Sequence, residues 1–125
     1  MELTPELIQG KLFSLRTQAH KLHLDTRSLG EHKALGKLYE GLGGFADEIS
    51  EKLMGYQKGK RIGVPELEKL QPYSNEAVSK LVKDGMEFSY ALYEWSGKKK
   101  YCDLENIAQS LSGLFAKTEY LLTLS

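Results

Sequence analysis

All three histidines of the chain fall in one stretch, HKLHLDTRSLGEH, which runs from His20 to His32. Imidazole is the commonest metal ligand and the side chain that exchanges protons near neutral pH, so the clustering calls for a geometric test. Two carboxylates, Asp47 and Glu51, follow at i,i+4 spacing, which puts them on one face of a helix. That face is turned away from Phe45 and Ile49. The third histidine, His23, is a helical neighbour of His20 and reads as an exposed or boundary imidazole.

Four helices must position these groups. Ile8, Leu12, Leu15, Ala19 and Leu22 step by four and three, the rhythm of an amphipathic helix. Thr4 suits its N-cap and Pro5 its first turn, where a missing N–H costs nothing. Leu35, Leu38, Leu42, Phe45, Ile49 and Leu53 form the second stripe, with Ser28 and Glu31 at capping-box spacing. Val78, Leu81, Gly85, Phe88, Leu92 and Trp95 form the third, between a Ser74 cap and Gly97. Leu104, Ile107, Leu111, Leu114, Thr118 and Leu121 form the fourth, with Asp103 as its expected cap.

The connections are short, long and short. A tight turn surrounds Thr26 to Gly30, and GKKKYCD makes another. Between them lies a long middle connection from about residue 55 to 73, in which Pro65 is expected to start a short helix that Pro72 ends. Two helical hairpins joined by a long crossover make a ferritin-like four-helix bundle. The expected fold is therefore all-α, with one domain over residues 1–125. Gly36, Gly41, Gly43 and Gly44 interrupt the second helix, although each interior glycine costs about 0.5–1 kcal/mol relative to alanine. Small residues on an outward face suggest that a second subunit packs there.

His20 and His32 are equidistant from Thr26, so an antiparallel hairpin is expected to bring them level. Asp47 and Glu51 lie 15 and 19 residues beyond His32, which is over about 20 Å along a helix. No single ion joins the two pairs within one subunit. Two copies of the second helix packed antiparallel would set His20 and His32 of one chain against Asp47 and Glu51 of the other.

The spacing of these residues resembles that of the Dps family, the miniature ferritins. In that family a His on the first helix is followed twelve residues later by a His on the second, then by an Asp after fifteen and a Glu after four. The run KLYEGLGGFADEISEKL and the final helix DLENIAQSLSGLFAKTEYLLTL are also similar, so the likeness spans residues 12–55 and 103–124. It implies iron binding with oxidation of Fe(II) by peroxide or oxygen at a site shared between subunits. In that site His20 and His32 would be imidazole ligands, Asp47 a bridging carboxylate and Glu51 the main iron-binding carboxylate. It also implies a dimer as building block of a hollow dodecamer. Such a mixed nitrogen and oxygen set suits Fe(II), and Zn(II) is the alternative metal. Two positions depart from the family's pattern. Gly36 stands where an Asp commonly follows the second His, and Lys21 where a Trp follows the first. The missing acid favours a rival expectation, a non-enzymatic interaction protein that keeps the bundle and uses surfaces such as Lys98 to Lys100 and Lys58 to Arg61.

The remaining signals exclude more than they suggest. Seventeen Lys+Arg balance seventeen Asp+Glu, which gives no general attraction to nucleic acid. GYQKGKRIG lacks the Walker spacing and its hydroxyl residue, so it reads as a basic surface loop. No strand–turn–helix elbow presents a serine nucleophile. Cys102 adjoins three lysines and a helix start, both of which favour its thiolate, but no histidine is near it in sequence. Apolar runs are too short to span a membrane. One cysteine and no export signal point to the cytoplasm.

Overall fold

The computed structural model describes residues 2–125 and contains four helices, α1 (Pro5–Asp25), α2 (Leu29–Tyr56), α3 (Asn75–Lys99) and α4 (Cys102–Leu122). Among the described residues there is no strand, and no helix is long and apolar enough to cross a membrane. Three of the four starts follow from local chemistry. The hydroxyls of Thr4, Ser28 and Ser74 accept the backbone N–H of Leu7, Glu31 and Ala77 at 3.1, 3.2 and 2.9 Å, so each satisfies an otherwise orphaned donor of the first turn.

The start of α4 differs from expectation. Tyr101, not Asp103, is its N-cap residue and makes no side-chain cap. Asp103 lies inside the first turn, where its carboxylate pairs with Lys52 and its N–H bonds to the Tyr56 hydroxyl at 3.1 Å. The end of α3 passes Gly97 to Lys99, and Lys100 closes it in the left-handed region at φ 62°.

The apolar stripes meet in one core that includes Ile8, Leu12, Leu22, Leu35, Leu42, Ile49, Leu92, Leu104, Leu111 and Phe115, all fully buried. Phe45 and Leu114 only flank it, and Ala46, Ala108 and Phe115 take inward positions. Gly85 is the residue that lets α3 and α4 close. A Cβ there would lie 2.1 Å from the ring of Phe115, so any side chain would collide with the largest fully buried group.

α1 pairs with α2 and α3 with α4, and the hairpins join through α2 against α4 and α1 against α3. The close approaches of Gly30 to Ser125 and Gly41 to Leu114, with Lys52 on Asp103, make α2 and α4 antiparallel.

The short helix expected between Pro65 and Pro72 does not form. Residues 60–72 are irregular and lie along α1 as a strap. The N–H groups of Gly63, Glu68 and Gln71 are donated to the side chains of Glu6, Ser14 and Gln18 at 3.3, 2.9 and 2.7 Å. Lys11 reaches back to Glu68 at 2.8 Å, and the Gln18 amide donates to the Gln71 carbonyl at 3.0 Å. The physical reason is twofold. A proline biases the residue before it toward extended backbone, and a helix of so few residues is marginal without tertiary help. Here the tertiary help goes to the extended form.

Candidate functional site

The helix ends fix the register of the α1–α2 hairpin. α1 stops at Asp25 and α2 starts at Leu29, so the midpoint falls at residue 27, one beyond the expected Thr26. That shift changes the partners. His23, not His20, pairs with His32: the two rings stack with centroids 3.9 Å apart. His20 stacks instead on Tyr39 at 4.1 Å, with its centroid 6.4 Å from His23. All three imidazoles are half-buried. His23 thus sits at the boundary, as the sequence led one to expect, and is packed there against the His32 ring.

The His23–His32 pair is reciprocal. His23 Nδ1 lies 2.7 Å from the carbonyl oxygen of His32, and His32 Nδ1 lies 2.8 Å from that of His23. A carbonyl only accepts, so each ring carries its hydrogen on Nδ1 and, when neutral, keeps its Nε2 lone pair. The His23 carbonyl belongs to the last turn of α1, where carbonyls lack helical partners. The His32 ring therefore caps one helix while it is stacked on a side chain from that same turn.

Gly36 makes room for this pair. A Cβ at residue 36 would lie 2.9 Å from His23 Cε1 and 3.1 Å from its Nδ1, so the space an acid would need is occupied by an imidazole. Other glycines of α2 also have neighbours inside the chain. Gly41 admits Leu114 of α4 and Gly43 the Arg16 side chain, while nothing lies within 4 Å of a Cβ at Gly44. Arg16 spans this face, with its guanidinium 4.9 Å from the centre of the Tyr39 ring. Below it Phe13, Arg16, Glu40, Gly43, Gly44 and Asp47 line a shallow depression.

Asp47 and Glu51 are both exposed. Counting in steps of four and three from His32, the positions 36, 40, 43, 47 and 51 follow one another down one face of α2. Among the described residues no three His, Cys, Asp or Glu side chains of one chain gather closely enough to hold a metal ion. The structure brings His23 and His32 together, sets His20 beside them through Tyr39, and leaves the two carboxylates apart at the far end of α2.

At the turn itself Thr26 and Tyr73 both donate to Glu31, the first at 2.7 Å. Glu31 thus does not complete the capping box; the Ser28 N–H bonds to the Thr26 hydroxyl at 3.2 Å instead. The bond to the Glu31 carboxylate holds the Tyr73 phenol above its ordinary pKa of 10.0. Cys102 is free and exposed at the start of α4, and Tyr101 stacks on Tyr56 at 4.2 Å.

These features define an all-helical bundle protein with an imidazole-rich hairpin face. The chain belongs to a family of unknown function, DUF5856, whose model matches residues 23–122. It is also similar to an uncharacterized 14.6 kDa protein in the mobD-ri intergenic region of Enterobacteria phage T4. The two are 23% identical over 116 residues, which covers 92% of this chain and 84% of that relative. No solved structure matches the chain.

Proposed function

We propose that the chain is a ferritin-like, Dps-like bundle that self-associates through its α1–α2 face and binds iron between copies. His20 and His32 of one copy act with Asp47 and Glu51 of another, and Fe(II) is the substrate, oxidised by peroxide or oxygen. The observation that carries this reading is the setting of His32. A metal-bound imidazole almost always donates its second ring N–H to a carbonyl or carboxylate, and His32 donates Nδ1–H to the His23 carbonyl, which leaves Nε2 for a ligand. The chain path supports the ferritin-like connectivity, since the strap returns from the end of α2 to the turn end of α1 before α3 begins.

The donor chemistry fits a divalent cation. Two neutral imidazoles and two carboxylates neutralise a 2+ ion, and this mixture suits Fe(II) or Zn(II). From His32 to Asp47 is about 22 Å along α2, so the set closes only when two copies of α2 lie antiparallel, in the dimer that would seed a larger shell. Such an assembly would act in the cytoplasm, and its zero net charge gives it little affinity for nucleic acid.

One observation favours a second reading. His23 occupies the seat of the acid that Gly36 lacks, and His23 and His32 together tie the hairpin, as a purely structural pair would. In that reading the bundle is a non-enzymatic interaction protein. Anaerobic titration with Fe(II), followed by peroxide and the ferric absorbance, separates the two. Iron binding by wild type that is lost in Glu51→Ala and kept in His23→Ala supports the shared site. Equal behaviour of wild type and Glu51→Ala overturns it, and no binding in either leaves the interaction protein.

A further inference from the structure

The strap carries an apolar stripe that the rest of the chain leaves largely open. From Gly63, held by Glu6, to Tyr73, held by Glu31 beside Thr26, it runs the length of α1 between residues 6 and 26. That is about 30 Å at 1.5 Å per residue, or about 3 Å for each strap residue, the rise of a polyproline II segment with three residues per turn. Side chains turn inward at that period, Ile62 onto the core, Pro65 toward Gly10 and Glu68 onto Lys11, while the backbone of Gly63, Glu66, Glu68 and Gln71 also meets α1. The outer side of the strap presents Val64, Leu67 and Leu70, which are 98%, 60% and 43% exposed, Leu70 also lining a groove with Leu15 of α1 and Leu81 of α3.

We propose that this face is a contact between two copies of the chain, related by a two-fold axis that passes beside Leu67. The stripe is symmetric about its centre. Antiparallel straps place Leu67 against its own copy and Val64 against Leu70, in both directions, as a self-complementary contact requires. The third side of the strap supplies matching charge. Glu66 and Lys69 lie there, and neither side chain has an ion-pair partner among the described residues. The same two-fold sets Glu66 of each copy next to Lys69 of the other.

The area is of the right order. From the exposures of Val64, Leu67 and Leu70, the stripe offers on the order of 350 Å², within the range in which a monomer's patch is often functional. A standard interface buries about 800 Å² per partner, a little over half of it apolar, so the stripe fills most of that apolar share. The contact involves no metal ligand and lies on the strap, away from the α2 face.

Single cysteines in a Cys102→Ser background test the axis. Under mild oxidation Leu67→Cys should form a disulfide-linked dimer at least tenfold faster than Val64→Cys or Leu70→Cys alone, while an equal mixture of the last two should cross-link readily. Leu67→Asp, with helical circular dichroism unchanged, should lower the mass in solution at least twofold by light scattering. Equal cross-linking rates at the three positions, a monomeric wild type at 100 micromolar (~0.1 mM), or a Leu67→Asp mass equal to wild type would each overturn the proposal. Because Gly43→Leu disturbs only the α2 face, its effect on mass tests that other contact separately.

Discussion

Gly36→Ala ought to stabilise an ordinary helix, yet here it should destabilise the protein. Alanine in place of an interior glycine gains about 0.5–1 kcal/mol of backbone entropy. The new Cβ would meet His23 at 2.9 and 3.1 Å. The ring cannot retreat cheaply, since it is pinned by a 2.7 Å bond to the His32 carbonyl and backed by the His32 ring at 3.9 Å. Displacing it removes a hydrogen bond worth about 1 kcal/mol and a ring pair worth about 0.5–1.5 kcal/mol. The net is a loss of about 1 kcal/mol, or about 3–5 °C in Tm for a chain of this length. In a His23→Ala background the obstruction is gone and the same substitution should raise stability by about 0.5–1 kcal/mol. A double-mutant cycle by urea denaturation reads the coupling directly, with an expected value of about 1.5–2.5 kcal/mol and a change of sign between backgrounds. Gly36→Ala that stabilises both backgrounds equally would refute the account of why residue 36 is glycine.

Further outcomes follow from neighbouring contacts. Gly85→Ala should cost about 3 kcal/mol or more through collision with Phe115, and the double variant with Phe115→Leu should recover part of it in a thermal melt. Tyr73→Phe should cost about 1 kcal/mol at neutral pH, below the ~1.5–3 kcal/mol of a buried bond to a charged acceptor because the phenol is only half-buried. The folded pKa of Tyr73 is raised, so this contribution is fully present below about pH 10 and is lost as pH rises through the folded value; denaturation midpoints of wild type and Tyr73→Phe should converge there. If the iron site forms, Fe(II) affinity should fall on acidification, because a protonated imidazole cannot ligate, which anaerobic titration at several pH values measures.

The helices were legible because their signals are local. Ile8 to Leu22 needs only its own spacing, and Thr4, Ser28 and Ser74 sit within three residues of the N–H groups they cap. What the sequence hid lies between elements. Pro65 is equally at home at a helix start and in an extended strap, and the choice was made by Ser14 and Gln18, which bond strap residues 54 and 53 positions further on. Asp103 looked like a cap, but Lys52 and Tyr56 of α2 claim its two polar ends. The pairing of His23 with His32 turned on one residue of hairpin register. The displaced acid at Gly36 was visible as a departure from the resembling family's pattern, while the ring that fills its space was not.

The strap also makes the chain divisible. It is exposed along most of its length, carries Lys60, Arg61 and Lys69 as tryptic sites, and holds to α1 through side-chain acceptors instead of a backbone ladder. A nick there severs no helix. It leaves two helical hairpins joined by the α2–α4 and α1–α3 contacts and by the strap's own bonds to α1. An intramolecular fold becomes a bimolecular complex, whose melting temperature gains a dependence on the concentration of each piece. The halves, expressed apart, are candidates for a two-piece protein that reassembles on mixing.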